Sequence, residues 1–147
     1  MKTLALVIAL TAVSGQSGGT SVDGAWIAQF EGRTFLRLEL KTVDGTTTGG
    51  LAIGNIEVDK QGALRNVGEL PRTLTPIFDV TQQPSLMTFS RRDGSDTDRF
   101  EFHVLGAGRG ELRFLLSDED REELAADGVP APKPIALTRQ SPDGIPR

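Results

Sequence analysis

Residues 98–116 read Asp-Arg-Phe-Glu-Phe-His-Val-Leu-Gly-Ala-Gly-Arg-Gly-Glu-Leu-Arg-Phe-Leu-Leu, and their spacing decides the fold class. Phe100, Phe102 and Val104 alternate with Arg99, Glu101 and His103. Leu112, Phe114 and Leu116 alternate with Glu111, Arg113 and Leu115. A period of two puts one set on each face of a strand, so each strand has a dry face and a wet one. The Gly-rich stretch 106–110 reads as a hairpin loop, which makes the two strands antiparallel neighbours. Arg109 and these glycines do not form a phosphate cradle, because a strand follows where a helix N-terminus is needed.

The same period continues upstream. Leu36, Leu38 and Leu40 oppose Arg37 and Glu39 in 34–41, and Asp44-Gly45 and Asp93-Gly94 supply two further turns. Weaker strands are expected at 24–30, 47–53, 56–59, 76–80, 85–91 and 134–139. The stretch 61–75 is open between a strand near 64–67 and a loop around Pro71. One short surface helix is predicted near 118–127: Ser117 is a good N-cap, Asp120 follows three residues later, and Asp127-Gly128 ends it. Asp118, Glu119 and Asp120 suit its first turn electrostatically. The fold expected is all-β, an antiparallel up-and-down barrel of about 8–9 strands, since so many short strands must close to hide their edges. A Greek-key sandwich is the alternative, and the run of sequential hairpins favours the barrel.

The N-terminus predicts export. Lys2 precedes an apolar stretch at 4–13, then the small residues Ser14 and Gly15. That order is a secretory signal peptide at 1–15, and the stretch is shorter than the ~20 residues that span a bilayer. A Gly/Ser/Thr-rich flexible leader is expected at 16–22, the β-barrel domain at 23–140 and a C-terminal tail at 141–147. The expected location is periplasmic or extracellular. Export permits disulfides, yet the chain has 0 Cys, so its core must hold unaided. The formal net charge is -4 and no basic cluster exceeds Arg91-Arg92, which argues against nucleic acid as a partner. No second apolar run approaches membrane length.

Gly24-Ala25-Trp26 opens the first barrel strand, and Leu137-Thr138-Arg139 closes the last. This resembles the calycin barrels, the lipocalins and their relatives, which carry G-x-W on the first strand and a last-strand Arg or Lys over the indole. The match covers the layout from Gly24 to Arg139, and as residues only Gly24, Trp26 and Arg139. The resemblance implies that Trp26 and Arg139 close the barrel structurally, opposite the end where a ligand would enter. The residues support such a contact independently. Alternation puts Arg139 on the dry face with Ile135 and Leu137, where a charge must be paired or stacked; the alternative is a strand that ends at Thr138 and leaves Arg139 solvated.

Catalytic chemistry finds no footing. Gly15-Gln16-Ser17-Gly18-Gly19 matches G-x-S-x-G by letter but precedes no helix and falls beside the cleavage region. His103 is the sole His and lies on a wet face beside Glu101. Asp93, Asp96 and Asp98 sit close together, but without the spacing of a calcium loop, and read as a polar hairpin tip. No metal, cofactor or catalytic residue is therefore expected. With no Tyr and one Trp, the chain lacks the aromatic platforms of carbohydrate and nucleic-acid binders.

Two functional readings remain. One is an exported, non-catalytic barrel that binds a small apolar ligand inside. The other is a structural or inhibitor-like interaction module with a filled core. Interior volume separates them, since eight-stranded barrels can be filled by side chains or hold one ligand. Phe30, Phe78, Phe89, Phe100, Phe102 and Phe114 are expected inside and Phe35 outside. Ala28, Gly49, Thr88 and Ser90 are small and would border any remaining space.

Overall fold

The computed structural model describes residues 21–141. The expected signal peptide, the Gly15–Gly19 motif, most of the leader and residues 142–147 lie outside that range. Eight strands form a closed antiparallel barrel: β1 (Gly24–Phe30), β2 (Arg33–Val43), β3 (Thr46–Ile53), β6 (Thr75–Gln83), β7 (Leu86–Asp93), β8 (Asp96–Gly106), β9 (Arg109–Leu115) and β10 (Ile135–Arg139). Neighbours in space run β1-β10-β9-β8-β7-β6-β3-β2, which is the expected up-and-down order. Between β3 and β6 the chain leaves the wall and forms a separate hairpin, β4 (Ile56–Val58) with β5 (Leu64–Val67). The ambiguous stretch 61–75 is thus mostly this excursion.

Turn chemistry fixes most of the register. Asp44 and Gly45 both take positive φ (51° and 77°), the two-residue turn whose twist matches a hairpin. Val43 pairs with Thr46 across it. The helix α1 (Asp118–Ala126) carries the full capping box. The Asp120 N–H donates to Ser117 Oγ at 3.1 Å, and the Ser117 N–H donates to Asp120 Oδ2 at 3.2 Å. None of the helix residues is buried, so the cap and not packing defines it. No helix among the described residues is long and apolar enough to cross a membrane.

The interior is built by the alternating residues. Leu36, Leu38, Leu51, Phe89, Phe100, Phe102 and Leu112 are each 0% exposed. The excursion seals the end where β1 meets β2: Val67 is buried, and Ile56 and Leu64 pack on the core. Arg33 Nη2 donates to the Val67 carbonyl at 3.4 Å, and the Lys133 N–H to the Gly62 carbonyl at 2.9 Å.

Two of the Phe expectations are corrected. Phe35 was expected outside and is buried. Ala28 pairs with Leu36 but Gln29 with Thr34, so Phe35 is the extra residue of a β-bulge and drops out of the alternation. Phe78 was expected inside. It pairs with Ser90, on the face opposite Phe89, and is half-buried with the Arg92 guanidinium 5.5 Å from its ring centre. The cause is a second bulge at Asp79, whose φ is +49°: Phe78 pairs with Ser90 but Thr81 with Thr88. Phe30 and Phe114 are partly buried and packed on the core. Ser90 is buried and Thr88 half-buried, both facing away from the interior.

Gly49 shows how tightly β2 and β3 approach. A Cβ there would lie 1.9 Å from the Glu39 carbonyl oxygen, which is backbone and cannot rotate away. Gly49→Ala is expected to lower unfolding stability by at least about 2 kcal/mol, the upper range of overpacking costs. Urea denaturation followed by far-ultraviolet dichroism checks this, and a midpoint equal to the parent would contradict the close approach.

Candidate functional site

The sequence directs attention to the barrel interior and its two ends. At one end β1 and β10 pair with Trp26 opposite Arg139. The Arg139 guanidinium carbon lies 4.4 Å from the indole centre. Trp26 is fully buried, and its Nε1–H donates to the Val22 carbonyl at 2.8 Å. An indole N–H buried without an acceptor would be costly, so this bond is part of what lets the ring sit inside. Val22, the last residue of the stretch read as leader, is itself buried. Arg139 Nη2 donates to the Ser21 carbonyl. Burial lowers the Arg139 pKa below its ordinary value, and the Asp23 carboxylate pulls it partly back up.

Asp23 also begins a polar chain across this end of the barrel. Thr42 Oγ1 donates to Asp23 Oδ1 at 2.6 Å, Thr42 and Thr47 share a hydrogen bond at 2.8 Å, and Thr47 Oγ1 donates to Gln82 Oε1. Sequence reading missed this chain, because its members come from four separate stretches whose meeting depends on closure. Thr42 and Thr47 carried a signal in retrospect. They continue the inward parity of Leu36, Leu38 and Leu40 past the point where the residues turn polar.

The opposite end holds a second inward arginine. Arg91 pairs with Ile77 and Asp98 on the interior face, and its Nη2 donates to Asp98 Oδ2 at 2.9 Å. Its guanidinium carbon is 5.8 Å from the Phe100 ring centre. The Arg91 Nε is buried and has no hydrogen-bond partner among the described residues. Asp98 is therefore engaged with a cation, and Asp93 lies 3.9 Å from the same guanidinium. The Asp93/Asp96/Asp98 tip is an arginine-paired hairpin end. Parity from Phe89 would have placed Arg91 inside.

Between these ends the space is occupied by rings. Trp26 meets Phe102 edge to face at 4.9 Å, Phe89 stacks on Phe100 at 5.4 Å, and Phe100 meets Phe114 at 5.1 Å. A Cβ on Gly110 would meet Phe102 Cε2 at 2.7 Å, so that glycine makes room for the ring. A void large enough for water would leave accessible surface on the side chains around it. The inward side chains Trp26, Leu38, Leu51, Phe89, Phe100, Phe102 and Leu112 have none.

Among the described residues, two hollows lie on the outer surface. A groove of about 790 Å³ runs between α1 and the adjoining ends of β8 and β9, lined by Asp96, Asp98, Arg99, Glu119, Asp120 and Leu124 among others. A shallower depression of about 440 Å³ crosses β1, β2 and β3 at Ala25, Glu39, Gly49 and Gly50. His103 lies outside on β8, half-buried between Leu86 and Glu111.

Trp26→Ala is expected to cost about 3–5 kcal/mol, as for other buried Trp truncations. Arg139→Ala is expected to cost less but measurably, and to red-shift the emission of the sole Trp as water reaches the indole. Chemical denaturation and Trp fluorescence check both. An unshifted emission in Arg139→Ala would remove the covering role.

A scan against protein-family models finds no match, and searches of curated proteins and of solved structures also return none.

Proposed function

We propose that this chain is an exported, non-catalytic, calycin-like barrel that acts through its outer surface as a protein-interaction module. The observation that carries the reading is the packed middle of the barrel: Trp26, Leu38, Leu51, Phe89, Phe100, Phe102 and Leu112 are each 0% exposed. Eight-stranded barrels that bind a ligand need space that this core does not offer. Between the two readings of the sequence, this favours the interaction module over the carrier of a small apolar molecule. The calycin-like part rests on the closed barrel and on the Trp26–Arg139 stack where its first and last strands pair. The non-catalytic part is supported by the position of His103, which lies outside the barrel between Leu86 and Glu111.

Export is supported by the apolar stretch at 4–13 behind Lys2. N-terminal sequencing of secreted material is expected to begin near Gly15 to Ser17. Recovery of intact Met1 from the periplasm would oppose it.

Native mass spectrometry of protein purified from its own compartment tests the mode of action. The expected spectrum shows the bare polypeptide mass, with no saturable uptake of a long-chain fatty acid or of a naphthalene-sulfonate dye. A stoichiometric apolar adduct released only on unfolding would overturn the filled-core reading and restore the ligand carrier.

A further inference from the structure

Two seams of the barrel wall have ladders of only two residue pairs, β1–β10, which carries the Trp26–Arg139 stack, and β3–β6, which has no such stack. β3 pairs with β2 along eight successive residues, from Leu36↔Ile53 to Val43↔Thr46. On its other edge it pairs with β6 only at Gly50↔Pro76 and Leu51↔Thr75. Two backbone features sit where this ladder stops. Gly49 is drawn hard against β2, and Asp79, at φ +49°, turns β6 off its line.

The hairpin at Asp44-Gly45 tells which groups are left over. Val43 and Thr46 flank a two-residue turn and exchange hydrogen bonds, so bonding to β2 recurs at Thr48 and Gly50. The N–H and C=O groups of Thr47 and the N–H of Gly49 therefore turn toward β6 beyond the end of the ladder, while the Gly49 carbonyl belongs to the ladder, since Pro76 has no N–H and its pairing with Gly50 is made through Ile77 N–H. The turn at Pro84-Ser85 sets the same alternation on β6, where Gln83 and Thr81 bond β7 and Gln82 turns toward β3. Among the described residues these strand segments pair across the seam through side chains only, Thr47 to Gln82. Gln82 faces inward opposite buried Met87 and is exposed at the end of β6, beside the Pro84-Ser85 turn, while its partner Thr47 is buried. A hollow of about 330 Å³ lies there, lined by Thr42, Gly45, Gln82, Gln83 and Pro84.

We propose that this seam accepts an extended segment of a partner polypeptide by strand addition, which deepens and rests on the surface-acting reading above. A row of donors and acceptors at strand spacing is complementary to one class of molecule, an extended main chain. The rim is mostly uncharged, with Thr46, Thr48, Thr81 and Gln83 exposed along it and the exposed Asp79 at its far end, so recognition runs through the main chain and tolerates varied sequences. Two edges face each other across the opening. The occupant is therefore a lone extended strand. Entry breaks the Thr47–Gln82 hydrogen bond and replaces it with backbone bonds to both walls.

Amide hydrogen exchange on the full chain tests this, with a blocked heptapeptide of alternating Thr and Val as the probe. The same peptide N-methylated at alternate residues is the control. In the free protein the Thr47, Gly49 and Gln82 amides are expected to exchange at least about a hundredfold faster than those of Phe89 and Phe100, as for a locally open element. The heptapeptide at millimolar concentration slows them, and the N-methylated peptide does not. Seam amides as protected as Phe89 and Phe100, equal effects of both peptides, or perturbation confined to the groove beside α1 would each overturn the proposal. Those outcomes leave the filled-core reading standing, whereas an apolar adduct in native mass spectrometry removes that reading and not the open seam.

Discussion

Arg139 lies on Trp26 where the last strand pairs with the first, at the seam that closes the barrel. The magnitudes show what each partner contributes. Burying an indole removes on the order of 150–250 Å² from water, worth roughly 4–6 kcal/mol at about 25 cal/mol per Å². The cation–π attraction adds only about 0.5–2 kcal/mol. Against it stands the desolvation that lowers the Arg139 pKa. Burial of the indole is therefore the larger contribution, and the guanidinium covers the ring against water. Its second effect is positional. Arg139 holds the Ser21 carbonyl while the Trp26 N–H holds Val22, so the segment ahead of β1 folds down over this end.

The other end repeats the arrangement with different chemistry. Arg91 lies near Phe100 and takes Asp98 as its anion, in place of the backbone carbonyl and more distant Asp23 that serve Arg139. Between the two guanidinium groups, Trp26, Phe102, Phe100, Phe89 and Phe114 fill the lumen. A barrel plugged by rings and topped by arginines at both ends is rigid through the middle. Whatever variation in shape it offers a partner lies in the loops, the edges and the helix outside the wall.

The strands were legible because a half-buried sheet needs apolar residues at every second position, and 36–40, 100–104 and 112–116 supply them. The α1 cap was legible for an equally local reason, since Ser117 and Asp120 satisfy each other's backbone. Phe35 and Phe78 were misread because one extra residue in a strand inverts the parity of its neighbours. Nothing adjacent in sequence announces that Asp79 adopts a left-handed φ. At the site, parity carried Arg139 inward with Leu137, and the only indole available to cover was Trp26. The Asp23–Thr42–Thr47–Gln82 chain was missed beyond its local Thr42–Thr47 pair, because the link to Gln82 exists only once β3 and β6 lie side by side.

Connection length explains where the wall is strong and where it is weak. β2–β3, β6–β7 and β7–β8 are joined by tight turns, which fix register at the start of each ladder and let it run for most of the strand. Three seams lack such a turn. β9 and β10 are separated by α1, β3 and β6 by the β4–β5 excursion, and β1 and β10 are the two ends of the barrel. These are the seams with the shortest ladders. The β1–β10 seam compensates with the Trp26–Arg139 stack and a backbone bond from Gln140 N–H to the Ala25 carbonyl at 2.7 Å. The β3–β6 seam has the Thr47–Gln82 contact and no buried aromatic to lock it. A closed barrel abolishes edges only where its ladders are complete. The excursion that lets Val67 and Leu64 seal one end thus leaves β3 and β6 incompletely zipped toward the other.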